Sequence, residues 1–131
     1  MKGHKNIYFI SGHGNITLEE WLINYKPFID DALKHNSQFI LGDFRGTDTL
    51  SAEYLKDKTP YVKVIHCFQK PRYKVDTVNL ASKYWEYIGG FESDIERDTY
   101  MTQNSDYDIA WVRKGKENSG TAKNIQRRNK T

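Results

Sequence analysis

The chain has 131 residues, of which 37% are hydrophobic, 14% aromatic and 28% charged, with a formal net charge of +3. That length suits one domain and makes a second very hard to fit, while nine Tyr, six Phe and three Trp argue against disorder. No apolar run approaches the roughly eighteen residues of a membrane span, and the single cysteine, Cys67, excludes an intramolecular disulfide and a cysteine-based zinc cluster.

Taken in chain order, Asn6 to Ser11 is a nearly continuous apolar run of strand length that stops at Gly12-His13-Gly14. The residues before it carry no signal-peptide cleavage pattern, so a soluble, cytoplasmic protein with no membrane partner is expected; separately, no bound cofactor is expected. Thr17 and Glu20 have capping-box spacing, and Leu18, Trp21, Leu22, Tyr25, Phe28, Ile29, Ala32 and Leu33 follow at helical intervals. Pro27 is expected to bend or interrupt that helix. Gln38 to Leu41 reads as a second strand, ending at Gly42-Asp43-Phe44-Arg45-Gly46-Thr47-Asp48, and Leu50, Tyr54 and Leu55 mark a short helix behind it. Tyr61 to His66 alternates with β-branched residues as a third strand, closed by Phe68 and Pro71. From Arg72 to Ile88, apolar residues at helical spacing followed by Gly89-Gly90 predict a helix with a glycine C-cap. Ser93 to Gln103 predicts a polar helix, Tyr107 to Val112 a last strand, and Gly120-Thr121 the opening of a terminal helix reaching about Arg128. This alternation predicts an α/β fold with a mainly parallel sheet covered on both faces.

The charge is unevenly distributed. From Arg113 onward Arg113, Lys114, Lys116, Lys123, Arg127, Arg128 and Lys130 face one acid, Glu117, whereas the preceding part has 13 basic and 16 acidic residues. Such a basic end suits a phosphate ligand, nonspecific nucleic-acid contact, or simple complementarity to a helix dipole.

Ligands of open parallel sheets sit beyond the carboxyl ends of the strands, where loops meet helix N-termini. The corresponding loops run from Ser11 to Asn15, Gly42 to Asp48, Cys67 to Pro71 and Arg113 to Thr121. Ser119-Gly120-Thr121 combines two hydroxyls, a glycine and free helical amides, which suits phosphate; the plain alternative is that Ser119 or Thr121 caps the helix. Arg113 and Lys123 are placed to add positive charge at the same end. Arg45 can contact a phosphate while Asp43 or Asp48 accepts ribose hydroxyls, or Arg45 and Asp48 can pair and shape their loop. In the helix after Ser93, Arg97 shares a face with Met101 and Asp94 with Asp98; a solvated charged face is the default. His13 has the intrinsic chemistry of a general acid–base, or serves as a hydrogen-bonding loop residue. Cys67 has no base beside it in sequence and reads as a small buried residue, and Tyr84, Trp85, Tyr87 and Phe91 suit a core better than a base-stacking platform.

Ile10-Ser11-Gly12, the loop from Gly42 to Asp48 followed by Ala52, Arg97-Asp98 with Met101, Ser105 to Trp111, and Ser119 to Asn124 occur in an order and strand context that resembles the SLOG superfamily. These are the DprA-, LOG- and YpsA-like Rossmann-type nucleotide-binding domains, and the likeness covers most of the chain. It implies a single-domain Rossmann-like three-layer sandwich that binds a nucleotide or nucleotide-derived ligand. The final Gly-Thr loop (Ser119, Gly120, Thr121) would hold phosphate, and Ser11, Gly12, His13, Gly42, Arg45, Gly46, Asp48 and Arg97 would surround the rest. LOG-type hydrolases carry a glutamate after that loop; Asn124 stands there in this chain, and an amide cannot act as a general base. A binding module without turnover is therefore the first expectation. The alternative is an N-glycosidic hydrolase or transferase, a phosphoribohydrolase for instance, that relies on Asp43, Asp48 or Asp98. A third reading is nucleic-acid binding through the basic terminal helix, where Lys123 and Arg127 share a face, as DprA-like relatives bind single-stranded DNA. The aromatic-rich, poorly amphipathic middle segment would leave apolar surface that a homodimer covers.

Overall fold

A computed structural model describes residues 5–129, so Lys130 of the basic tail lies outside the described residues. The elements are β1 (Ile7–Ser11), α1 (Leu18–Asn24), α2 (Lys26–Lys34), β2 (Gln38–Leu41), α3 (Thr47–Leu55), β3 (Val62–Cys67), a 3-10 turn (Ala81–Tyr84), β4 (Glu86–Phe91), α4 (Asp94–Gln103), β5 (Tyr107–Ala110) and α5 (Gly120–Asn129). All four strand pairings are parallel, in the order β4-β3-β2-β1-β5. The fold is an α/β sandwich of the Rossmann-like kind, as expected.

Strand alternation divides the core between the two faces. Ile10, Phe39, Leu41, Val62 and Val64 pack with Trp21, Tyr25, Ile29, Ala32 and Leu55 of the first three helices and their junction. Phe9, Ile40 and Ile65 pack on the other face with Met101 of α4. Strands buried on both faces must be apolar at every position, which is why these runs read so clearly. Each such side chain contributes roughly 1.5–3 kcal/mol by leaving water.

The first helix starts at the expected capping box, with Thr17 Oγ1 accepting from the Glu20 N–H and Glu20 accepting from the Thr17 N–H. It is interrupted as Pro27 predicts: α1 ends at Tyr25, and the proline occupies the first turn of α2, where a missing N–H is harmless. Tyr25 is fully buried at this break.

The helix expected from Arg72 to Ile88 does not form. The chain instead crosses from β3 to β4 through an irregular segment and the 3-10 turn, and Gly89-Gly90 lies inside β4. A Cβ on Gly89 would stand 2.2 Å from His66 Cε1, so this glycine allows β4 to approach a buried histidine of β3. Val75 and Trp85 are buried at isolated points, while Val78 and Tyr84 of the same apparent stripe are exposed.

From β1 the sheet grows outward through β2, β3 and β4, and then the chain returns to place β5 on the other side of β1. The strand order therefore reverses between β1 and β5, and a crevice must open there at the carboxyl edge.

Candidate functional site

That crevice is a cleft of about 280 Å³. It is lined by the β1 loop (Ser11, Gly12, His13, Gly14), by Gly42, Phe44 and Asp48, by Asp94, Arg97, Asp98 and Met101 of α4, and by Ser119, Gly120, Thr121 and Asn124 around the start of α5. Phe9 and Met101 supply apolar surface.

Three loops are fastened together at its base. The Tyr25 hydroxyl donates to the Ser11 carbonyl at 2.7 Å and accepts from the Trp111 N–H at 3.0 Å. The Thr47 N–H and hydroxyl both donate to the His13 carbonyl, at 3.2 and 3.1 Å. A Cβ on Gly12 would stand 2.2 Å from Thr47 Oγ1, so no side chain fits where β1 meets this junction. His13 Nε2 accepts from the Arg113 N–H at 2.9 Å. Burial, reinforced by the Arg113 charge, lowers the His13 pKa and favours the neutral acceptor ring. His13 thus has the hydrogen-bonding role in the fold, tying the β5–α5 loop to the β1 loop.

At one end of the cleft lies the N-terminus of α5. Ser119 Oγ accepts from the Ala122 N–H at 3.2 Å and so caps the helix, while the Gly120 and Thr121 amides donate to no acceptor among the described residues. Ser11 is 6% exposed, and its hydroxyl has no hydrogen-bond partner among the described residues. The side-chain cations expected here are elsewhere. Arg113 is held by Glu20 at 2.7 Å and Asn15 at 3.0 Å, and Lys123 is exposed outside the lining. Positive potential at this end comes from the helix terminus.

The rest of the cleft is acidic. Arg97 is buried and forms its hub, donating to Asp43 Oδ1 at 3.0 Å and to Asp98 Oδ1 at 3.2 and 3.0 Å, with Asp94 at 3.7 Å. The solvated face expected for this helix is thus wrong for Arg97 and Met101, both buried. Asp43 does not line the cleft; its side chain is fully buried between Arg97 and Arg72. Burial opposes its charge, but hydrogen bonds and charge from Arg72, with Arg97 behind, hold its pKa below the ordinary carboxylate range. Asp48 lines the cleft and accepts from the Phe44 N–H at 3.0 Å. Its burial outweighs the attraction of Arg97 and pushes its pKa up to about 7. The Arg45–Asp48 pair is absent: Arg45 is exposed and rests over the Phe44 ring, 4.9 Å from its centre. Gly46 forms the N-cap of α3 at φ 77°.

Asn124, flagged in the sequence for what it cannot do, has a position of its own. Its amide donates to Asp98 Oδ2 at 3.3 Å and its oxygen accepts from Arg127 at 2.5 Å. Asp94, Phe9 and Phe44 also reach the cleft. Asp94 and Asp98 carried the only sequence signal, a shared helical face.

The basic terminal helix divides its cations: Lys123 is exposed, whereas Arg127 and Arg128 are engaged within the fold. Arg128 is forked onto Asp108 and donates to the carbonyls of Thr102 and Ser105, and Arg127 binds Asn124. Cys67 is buried, and burial raises its thiol pKa. Among the described residues no group of three or more His, Cys, Asp or Glu is arranged to hold a metal ion, and no helix is long and apolar enough to cross a membrane. A larger hollow of about 580 Å³ opens near the amino ends of the strands beside Tyr61, Tyr84 and Tyr100, without glycine loops or an open helix N-terminus. Comparison with family models, curated proteins and solved structures finds no match to this chain.

Proposed function

We propose that the cleft binds a nucleotide or nucleotide-derived ligand, with its phosphate on the N-terminus of α5. The observation that carries this reading is the Ser11 hydroxyl, buried and unpartnered in the same cleft as the open amides of Gly120 and Thr121. A buried hydroxyl without a partner costs about 1–3 kcal/mol, which a phosphate oxygen at this place would offset while also accepting from the helix. The resemblance to SLOG domains agrees with that placement. The test is calorimetric titration with inorganic phosphate and AMP: saturable AMP binding is expected, weakened at least tenfold by Thr121→Val and by Ser11→Ala. Absence of binding by either probe refutes the reading.

A second reading is N-glycosidic hydrolysis. Asp48 and Asp98 line one cleft, and Asp48 has an acidity suited to proton transfer near neutral pH. Asp43, enclosed by arginines, is not available for it. Chromatography for free adenine after incubation with AMP separates the two: release that Asp98→Asn abolishes makes the protein a hydrolase, and intact AMP leaves it a binding module.

A further inference from the structure

The inference below rests on the phosphate reading above and concerns the other end of the ligand. We infer that Asp98 and Asp48 form a sugar-hydroxyl subsite, so that the cleft selects a single-phosphate ligand bearing the cis-diol of ribose over deoxyribose compounds and polyphosphates.

Charge argues first. The lining contains three carboxylates, Asp48, Asp94 and Asp98, against one arginine, Arg97, already bound by Asp43 and Asp98 with Asp94 close by. One phosphate can rest on the α5 terminus; a second would face carboxylates with no uncommitted cation in the lining. Arg72 and Arg113 are taken by Asp43, Asp94 and Glu20, and Arg45 lies outside the lining.

Hydrogen bonding argues next. Ionised carboxylates only accept, so the complementary ligand must present donors. Asp98 is held in a fixed plane, Oδ1 filled by two N–H groups of Arg97, while Oδ2 accepts only from Asn124 and keeps a lone pair for a further donor. Its side chain is 16% exposed and faces the cleft. Asp48 spends Oδ2 on the Phe44 N–H, which leaves Oδ1. Two neighbouring hydroxyls satisfy this pair better than an ammonium, because Asp48 is a weak counter-ion at neutral pH and can equally donate its own proton to a hydroxyl oxygen. A volume of about 280 Å³ accommodates a phosphorylated sugar, with a base directed toward the open side.

The experiment is calorimetric titration of the wild-type chain with inorganic phosphate, ribose 5-phosphate, 2-deoxyribose 5-phosphate, AMP and ADP. Ribose 5-phosphate and AMP are expected to bind at least tenfold tighter than 2-deoxyribose 5-phosphate, and ADP to bind more weakly than AMP. Asp98→Asn, checked for folding by its thermal transition, is expected to bring the ribose-to-deoxyribose ratio close to one while inorganic phosphate still binds. Equal affinity of wild type for the two sugar phosphates overturns the subsite, and so does tighter binding of ADP, which would point to Arg45; in both cases the phosphate reading stands. If none of the five probes binds, both fall together. The wild-type comparison requires no variant, so it decides the matter even if Asp98→Asn is unstable.

Discussion

Replacing Arg97 by Met tests the reasoning about the acidic wall most directly. The substitution keeps apolar volume beside Met101 but removes donors at 3.0 Å from Asp43 and at 3.0 and 3.2 Å from Asp98. Breaking a buried ion pair from one side costs about 3–5 kcal/mol, because the remaining charge is stranded. Asp43 keeps Arg72 and Asp98 keeps Asn124, so the low end applies, and a loss of about 3 kcal/mol is expected. That is a large part of the roughly 5–15 kcal/mol of a whole domain. Urea unfolding at pH 7 reads it. The pH dependence gives a second check. In the wild type Asp43 has a lowered folded pKa, so its contribution is present above the ordinary carboxylate range and is lost as pH falls through the folded value. In the variant the stranded carboxylates gain by protonation, and the deficit relative to wild type must shrink below about pH 4. A loss under about 1 kcal/mol at pH 7, or a deficit that persists in acid, would refute the hub.

Asp48→Asn works in the opposite sense. Its folded pKa is raised, so the wild type gains a proton on folding between about pH 4 and pH 7 and is penalised above that window; the asparagine variant should be more stable at pH 8, by up to about 4 kcal/mol, with the advantage vanishing near pH 4. Parallel thermal melts at the two pH values decide it, and a destabilised variant at pH 8 contradicts the burial argument. His13 has a lowered folded pKa, so its stabilising contribution is complete above about pH 6.5 and is lost as pH falls toward the folded value; His13→Gln, which keeps an acceptor for the Arg113 N–H, should flatten that part of the stability profile. Gly46→Ala should cost about 2 kcal/mol or more in urea unfolding, because φ is 77° and the new Cβ would lie 2.5 Å from the His13 carbonyl oxygen. The homodimer expected from the aromatic-rich middle segment, where Val78 and Tyr84 are exposed, is checked by sedimentation at tens of micromolar chain; a monomer there removes it.

What the sequence makes legible follows from which forces are local. The strands β1 and β2 are readable because burial on both faces leaves a nearly unbroken apolar run, β3 because it alternates and is β-branched, and the capping box at Thr17 because its partners are three residues apart. The cleft's location was also accessible, since parallel strands place their glycine loops at one edge. The segment from Arg72 to Ile88 misleads because its spacing is helical while the contacts that decide its path are distant. Those contacts include Arg72 on Asp43 and a glycine pressed against His66. Arg97 is opaque for the same reason: its fully buried partner, Asp43, lies 54 residues away, and a charged residue on a polar helix otherwise reads as solvent-facing. Arg113, counted as charge for a phosphate, is claimed by Glu20 at a separation of 93 residues.

The junction of β1 with β5 bears on the order of events in folding. Asp106 reaches Ile7 across 99 residues, Arg113 reaches His13 across 100, and Trp111 reaches Tyr25 across 86. Contacts so far apart in sequence close only after much loop entropy has been lost, and they are slow to form. A chain emerging from the ribosome can assemble β1 through β4 and still have no cleft, because one wall and the α5 terminus arrive with the last segment. Under the proposed function, ligand capture then requires both β1 and β5 in place, and a ligand that binds should slow unfolding by clasping these two strands together.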